Sequence, residues 1–145
     1  MKGKVIAVCV SERKGTVKKN VGRAVLRADW GIEGDAHAGP WHRQVSLLAW
    51  ESIETMRARG LDVREGSFAE NITTQGLELH TLPVGTRMRI GSALVEVTQI
   101  GKTCHDGCAI FRTVGDCVMP REGIFVRVLE GGEVAVGDEI EVLKP

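Results

Sequence analysis

The sequence lacks several features that mark specialised classes of protein. It has no tyrosine, an aromatic fraction of 4% and only four prolines in 145 residues. Its 19 basic residues balance its 19 acidic residues, so no net field attracts nucleic acid or an anionic membrane surface. The early apolar run at residues 5–10 is short, and Ser11, Glu12 and Arg13 follow it, which fits neither a signal peptide nor a membrane-spanning helix. We therefore expect a soluble cytoplasmic protein with no nucleic-acid or membrane partner.

The length and the apolar content predict one domain over residues 1–145. Hydrophobic residues make up 43% of the chain, and a chain of this size buries roughly two-thirds of its unfolded surface. Such a core needs no disulfide or metal to hold it. Four cysteines in a chain without an export signal are more often thiols or ligands than a disulfide framework, so they need a chemical explanation.

The distribution of glycine, valine and isoleucine predicts a mainly β fold. Eighteen glycines and short runs of β-branched residues indicate strands separated by turns. Because strands and helices do not alternate regularly, a closed or half-closed antiparallel barrel is favoured over a parallel sheet. Predicted strands cover residues 4–10, 23–28, 44–49, 124–129 and 139–143, and a hairpin over residues 86–100 turns at Gly91 and Ser92.

Two short helices are predicted outside the barrel. The first covers residues 50–59, with Ile53 and Met56 on one face and Gly60 as its stop, and we expect it to cover one end of the barrel. The second covers residues 106–114, with Asp106 as its N-cap and Gly115 as its terminator.

Cys104 is the strongest candidate for a reactive residue. It lies in the run GKTCHDGCAIF (residues 101–111), in the predicted turn before the second helix. The helix N-terminus, Lys102 and His105 all favour the thiolate and lower the thiol pKa, whereas Asp106 opposes them. Cys104 is thus a candidate nucleophile or soft-metal ligand. The alternative is a small residue buried at a turn.

The other three cysteines carry weaker signals. Cys108 follows Cys104 by four residues and is a resolving thiol, a second metal ligand or a packed helix residue. Cys117 gives a weak signal by itself. Cys9 lies in an apolar alternation, for which core packing is the better explanation.

A glycine-rich loop, GIEGDAHAGPWHRQVSL (residues 31–47), carries the second set of candidates. Asp35 and His37 lie two residues apart and would share one face of extended chain, as a base and its orienting carboxylate or as metal ligands. The alternative is a solvent-exposed loop histidine, which is the favoured interpretation for His42. Zinc held by His37, Cys104, His105 and Cys108 is also conceivable, but the spacing matches no structural zinc pattern.

A third stretch, EGSFAENITTQG (residues 65–76), offers hydrogen-bonding groups for a polar heterocycle or a phosphate. Its candidates are Glu70, Asn71, Thr73 and Thr74, and the alternative is an irregular strand whose polar groups are satisfied internally. The sequence contains no GxGxxG, GxxxxGK[ST], GxSxG or HExxH motif. Nucleotide hydrolysis, serine esterase and zincin chemistry therefore have no support.

Taken in order, these stretches resemble the MOSC domain, the fold named for the C-terminal part of molybdenum-cofactor sulfurases. The resemblance covers nearly the whole chain, from GIEGDAHAG and HRQVSLL through GSFAENITTQGL and GKTCHDGCAIF to GDCVMPREGIFVRVLEGGEVAVGDEIEV, and it is greatest to the short stand-alone members. It implies a β-barrel with a cleft for a molybdopterin-type cofactor. It also implies a cysteine that carries sulfur as a persulfide or ligates molybdenum, and Cys104 is the matching position.

The candidate residues named above would bind such a cofactor: Asp35 and His37 line the cleft, Asn71 and Thr73 contact the ligand, and His105 lies beside Cys104. Its phosphate needs cationic donors, and the nearest in sequence are Lys102, Arg112 and Arg121. For Arg112 and Arg121 the favoured alternative is an ordinary surface arginine. The resemblance also suggests partners. The chain has no room for a pyridoxal-phosphate cysteine desulfurase or an iron–sulfur module, so that chemistry would come from a partner: a desulfurase or a cofactor-biosynthesis or acceptor enzyme. If the protein is an enzyme, it would be a sulfur transferase or part of a molybdenum-dependent reductase.

Two other functions remain open on the residues alone. One is a non-catalytic module that holds the cofactor for delivery, with Cys104 only anchoring it. The other is a small thiol-redox or zinc-stabilised domain in which Cys104 and Cys108 act together.

Overall fold

A computed structural model describes residues 1–14, 16–101 and 119–143. The strands are β1 (Lys2–Val10), β2 (Lys19–Asn20), β3 (Arg23–Arg27), β4 (Gly31–Ile32), β5 (Val45–Ala49), β6 (Ile72–Gln75), β7 (Arg87–Ile90), β8 (Ala93–Ile100), β9 (Ile124–Glu130), β10 (Gly132–Ala135) and β11 (Glu139–Val142). The helices are α1 (Trp50–Arg57), α2 (Met119–Glu122) and a 3-10 turn at Leu79–Thr81.

Seven strands close into a barrel, as the sequence predicts. Their order is β11-β7-β8-β9-β5-β6-β1, and β1 pairs back onto β11 with Lys2 opposite Glu141. Closure leaves the barrel without an unpaired edge. A small second sheet of order β10-β3-β4 lies beside it and ends at the glycine-rich loop.

One pair of barrel strands departs from the antiparallel prediction. Strands β5 and β6 run parallel, with Leu48 opposite Thr73. Parallel neighbours need a crossover connection of a dozen residues or more, and α1 with the chain that follows it supplies one here. Strand β5 is buried at all five positions, as parallel strands covered on both faces usually are.

The predicted strands and hairpin match the structure to within one or two residues. The hairpin turn has Gly91 at a positive φ of 55°, a conformation that glycine adopts without steric cost. Helix α1 ends at Arg57, two residues earlier than predicted, and Gly60 follows with a φ of 92°. The helix predicted over residues 106–114 lies outside the described residues.

The apolar residues form two clusters on either side of the barrel wall. Inside the barrel, inward-facing side chains of most strands pack together, among them Ile72, Met88, Val95 and Ile140. Outside it, the second cluster consists of Leu48, Ile53, Met56, Val63, Phe68, Met119 and Phe125. Helix α1 therefore covers the outer face of β5 and not an end of the barrel as predicted, although Ile53 and Met56 form its buried side as expected. None of the helices in the described ranges is long and apolar enough to span a membrane.

Gly66 holds the loop before β6 directly against the loop before β2. Its carbonyl oxygen accepts a hydrogen bond from the Lys18 backbone N–H at 2.9 Å. A Cβ at this position would lie 2.1 Å from the Lys18 carbonyl oxygen, and the φ of Gly66 is +84°. Any side chain here would separate the two loops.

We predict that Gly66→Ala destabilises the fold far more than Gly22→Ala does. Gly22 has nearly the same φ, +83°, but a Cβ there meets nothing within 4 Å. Both variants pay a left-handed backbone cost of about 1–2 kcal/mol, and Gly66→Ala adds a backbone clash of at least ~2 kcal/mol. Urea denaturation at neutral pH measures both losses. Equal losses would contradict the close approach of the two loops.

Candidate functional site

The glycine-rich loop between β4 and β5 is fixed at its base by a buried ion pair. The Asp35 carboxylate lies 2.8 Å from the Lys18 ammonium, and neither side chain has exposed surface. The same oxygen, Oδ1, accepts the backbone N–H of Ser11 at 3.1 Å, and the Lys18 ammonium donates to the Ser11 hydroxyl at 2.9 Å. Two loops that are distant in sequence are thereby held at one point.

These partners lower the pKa of Asp35. Burial by itself would raise the pKa of this carboxyl, but the Lys18 hydrogen bond and charge, with the N–H groups of His37 and Ser11, outweigh burial and hold it below its ordinary value. Asp35 is therefore an ionised structural anchor at neutral pH.

Asp35 orients His37 through the backbone rather than through the imidazole. The His37 N–H donates to Asp35 Oδ2 at 3.0 Å, whereas Nδ1 of the ring lies 4.0 Å from that oxygen. The imidazole lies parallel to the Trp41 indole, with ring centroids 6.4 Å apart, and Trp41 Nε1 donates to the His37 carbonyl oxygen at 2.8 Å. The structure thus brings the two predicted residues together, with the Asp35 carboxylate bonded to the His37 backbone N–H and not to the His37 ring.

Two cations gather at the Trp41 indole, and we call Lys14, Trp41 and Arg43 the Trp41 cluster. The Lys14 ammonium lies 4.9 Å from the ring centroid, and the Arg43 guanidinium carbon lies 6.0 Å from it and 5.3 Å from the Phe125 ring centroid. Within the described residues, no carboxylate lies within 4 Å of either cation. The cluster can therefore receive an anion.

Gln99 connects the Trp41 cluster to the end of β8. Its Oε1 accepts Arg43 Nε at 3.1 Å and lies 3.0 Å from His42 Nε2, while its Nε2 donates to the Gly101 carbonyl oxygen at 2.7 Å. The Thr98 hydroxyl lies within hydrogen-bond distance of two carbonyl oxygens, those of His42 and Phe125, and its one hydrogen can be donated to either. His42 is exposed. These contacts hold the glycine-rich loop against residues 98 and 99 of β8, and we call this end of the barrel, with the loop, the rim.

Asn71 is enclosed in the barrel wall. Its Oδ1 accepts the Ser46 N–H at 2.9 Å and the Ser46 hydroxyl at 3.2 Å, and its Nδ2 donates to the Cys9 carbonyl oxygen at 3.0 Å. It therefore joins β1, β5 and the start of β6. Full burial and internal partners favour a structural role over the predicted contact with a ligand.

Thr73 belongs to a neighbouring internal network around Glu70. The Thr73 hydroxyl donates to Glu70 Oε2 at 2.8 Å, and the carboxyl also accepts the N–H groups of Gly66 and Phe68. Burial raises the pKa of Glu70 despite these donors. This network fixes the loop before β6, and both side chains are fully buried, which again favours a structural role.

The remaining predicted residues lie in three different settings. Arg121 is exposed on α2, and its guanidinium lies 3.4 Å from the Glu122 carboxylate. Cys9 is fully buried, and burial, with the charges of Glu70 and Glu65, raises its pKa to about 12, so it is no nucleophile at neutral pH. Lys102, Cys104, His105, Cys108, Arg112 and Cys117 lie outside the described residues.

Within residues 1–14, 16–101 and 119–143, no group of three histidine, cysteine, aspartate or glutamate side chains could hold a metal ion.

The sequence did not predict four residues that build the site: Lys14, Lys18, Arg43 and Gln99. The only local signal was the position of Arg43 beside His42 and Trp41. Lys14, Lys18 and Gln99 gave none, because their partners lie elsewhere in the sequence.

Residues 34–141 match the family model described as the MOSC domain. The match covers most of the chain, so the protein belongs to the MOSC domain family.

Solved structures share the fold. The YuaD protein of Bacillus subtilis superposes with a TM-score of 0.74 at 22% identity, covering 98% of this chain and 96% of that one. YiiM of Geobacillus stearothermophilus gives 0.72 at 19% identity (98% and 75%), and YiiM of Escherichia coli gives 0.66 at 20% identity (100% and 71%). No curated protein matches the sequence. At these identities the likeness establishes the architecture only.

We predict that Lys18→Met destabilises the protein by about 3–5 kcal/mol at pH 7, because it leaves a buried carboxylate without its cation. The double variant Lys18→Met/Asp35→Asn should recover much of that loss. The pKa of Asp35 is lowered by folding, so the pair's contribution is present above the ordinary carboxyl pKa and is lost as the pH falls through the lower folded value. Urea denaturation between neutral and acid pH measures this dependence.

The matched control for this prediction is Arg27→Met. Arg27 pairs with Glu33 at 3.1 Å on the surface, with 60% and 52% of the two side chains exposed. Its loss should cost less than about 1 kcal/mol. Similar losses for Lys18→Met and Arg27→Met, or a Lys18→Met loss that does not change with pH, would contradict the buried anchor.

Proposed function

We propose that this protein handles the molybdenum cofactor, with Cys104 as the thiol that carries sulfur as a persulfide or ligates molybdenum. Membership of the MOSC family supports the cofactor class. The observation that carries the proposal is the Trp41 cluster. Its two cations have no carboxylate partner in the described part of the chain. Gln99 connects the cluster to Gly101 after β8, and Cys104 follows Gly101 in the sequence.

The donor chemistry of the cluster fits the anionic part of such a cofactor. A phosphate is bound by cationic donors, and a guanidinium suits its geometry best. Lys14 and Arg43 supply an ammonium and a guanidinium, and the exposed His42 lies next to them. These residues would hold the phosphate, alongside Lys102 and Arg112 as predicted from the sequence.

The short length of chain between Gly101 and Cys104 supports a role for Cys104 at this end of the barrel. Gly101 is held by the Gln99 amide through its carbonyl oxygen and by the Gly123 carbonyl oxygen through its N–H, at 2.6 Å. Cys104 follows Gly101 by three residues, and three residues span at most about 11 Å. The proposal therefore places the thiol and the Trp41 cluster on the same rim.

The sulfur-transfer step needs a donor persulfide on a partner. The Cys104 thiolate attacks the terminal sulfur of that persulfide, a new S–S bond forms on Cys104, and the partner's cysteine leaves as its thiolate. The partner is a cysteine desulfurase, whose pyridoxal phosphate generates the persulfide from free cysteine. When bound, the cofactor supplies a molybdenum centre that accepts a soft sulfur ligand.

We predict that incubation with a cysteine desulfurase and cysteine adds one sulfur atom to Cys104. Intact mass and peptide mapping under non-reducing conditions measure the gain. Cys104→Ser should abolish the gain of sulfur, because serine has no thiol that can form a persulfide. Metal analysis of the same sample distinguishes molybdenum from zinc.

The controls are Cys108→Ser and Cys117→Ser, which should keep the gain because the proposal gives neither residue a role. A gain on another cysteine, or none in the wild type, would exclude the carrier role. If molybdenum then stays bound and Cys104→Ser only weakens its retention, the protein is a delivery module. If Cys104→Ser instead releases zinc and lowers thermal stability, the protein is a zinc-stabilised domain and neither a sulfur carrier nor a delivery module.

A further inference from the structure

We infer that Gln99 is a positioning residue that orients the Arg43 guanidinium for binding the anionic group of a flat heterocyclic ligand. The inference deepens the proposed function and depends on it for the role of the Trp41 cluster. It rests on contacts among residues 42, 43, 99 and 101, all of which the structure describes.

The chemistry of the neighbours determines which way the Gln99 amide faces. Arg43 Nε can only donate a hydrogen bond, so the Gln99 atom 3.1 Å from it must be the carbonyl oxygen. The Gly101 carbonyl oxygen can only accept, so the amide nitrogen must face it at 2.7 Å. Both ends of the amide are therefore occupied by groups of fixed polarity, and a flipped amide would break both contacts.

The same geometry determines the protonation of His42. Its Nε2 lies 3.0 Å from the Gln99 carbonyl oxygen, which can only accept. His42 must therefore carry a proton on Nε2, in the neutral or the charged form. Gln99 thus gathers two donors from the rim loop onto one oxygen.

The Arg43 guanidinium is held at Nε, and its two terminal nitrogens are available to a ligand. Among the described residues it makes one hydrogen bond, through Nε to Gln99, and its planar group lies 5.3 Å from the Phe125 ring centroid. The terminal nitrogens make no hydrogen bond within the described residues, so they can bind a phosphate with two parallel hydrogen bonds. Without Gln99, the long side chain would sample several rotamers and lose this orientation.

The neighbourhood favours a ligand with both an anion and a ring. The Lys14 ammonium supplies a second positive charge at 4.9 Å from the Trp41 centroid, and Trp41 itself offers an indole that is only partly buried. The ligand class is thus a planar heterocycle that bears a phosphate. Gln99 acts on the phosphate part through Arg43 and has no contact with the ring in this arrangement.

The test compares guanosine monophosphate with guanosine, a pair that shares one ring and differs by the phosphate. Calorimetry measures the dissociation constants of the two ligands from the full-length protein. We expect the wild type to prefer the phosphate form, and Gln99→Leu to weaken guanosine monophosphate about tenfold while guanosine changes by less than about twofold. Arg43→Met should reproduce the same selective loss, because Gln99 acts through it.

The matched control is Gln75→Leu, the same substitution at an exposed position at the end of β6. It should leave both dissociation constants unchanged. Three results would overturn the inference: no preference of the wild type for the phosphate form, no effect of Gln99→Leu, or equal weakening of both ligands by Gln99→Leu, which is what a merely structural role produces.

These results are independent of sulfur loading on Cys104. If Gln99→Leu selectively weakens guanosine monophosphate while the wild type forms no persulfide, the role of Gln99 is supported and the sulfur-carrier function is excluded. If the wild type forms the persulfide while Gln99→Leu keeps its preference for guanosine monophosphate, the carrier function is supported and the role of Gln99 is excluded.

Discussion

The buried pair of Lys18 and Asp35 is the interaction on which the rim of the barrel depends. Two charges without exposed surface are costly unless they are paired and hydrogen-bonded, and here the backbone N–H groups of Ser11 and His37 complete the carboxylate's partners. Because this anchor joins two loops, it brings Lys14 and Trp41 from separate segments to one place. The meeting of these two loops therefore depends on that junction.

A second constraint connects the rim to the barrel wall. Strands β5 and β8 both pair with β9, with Val45 and Val97 each opposite Val126. The hydrogen bonds of His42 and Arg43 hold the loop before β5 against the end of β8. Gln99 and Thr98 lie at that end and hold Arg43 and His42 there. The barrel therefore provides a rigid base for residues that come from a loop, which is how a loop site keeps a defined geometry.

The fold was largely predictable because its signals are local. Alternating apolar residues and turn glycines predicted β7 and β8 as a hairpin, and Ile53 and Met56 predicted the buried face of α1. The parallel pairing of β5 with β6 was missed, because pairing is decided by where the crossover places a strand and not by the strand's own sequence. The candidate roles of Asn71 and Thr73 were read from hydrogen-bonding capacity alone, which is equally well satisfied inside a barrel wall.

The sequence by itself determined the family, the mainly β architecture and the residue types available at the glycine-rich loop, because patterns of neighbouring residues encode these. Only the tertiary structure decided which groups meet. Lys18 and Asp35 are 17 residues apart, and Arg43 and Gln99 are 56 apart, so no local pattern marks either pair. Barrel closure brings such distant segments together, and the cost of burying a charge or an amide then selects the partners that satisfy it.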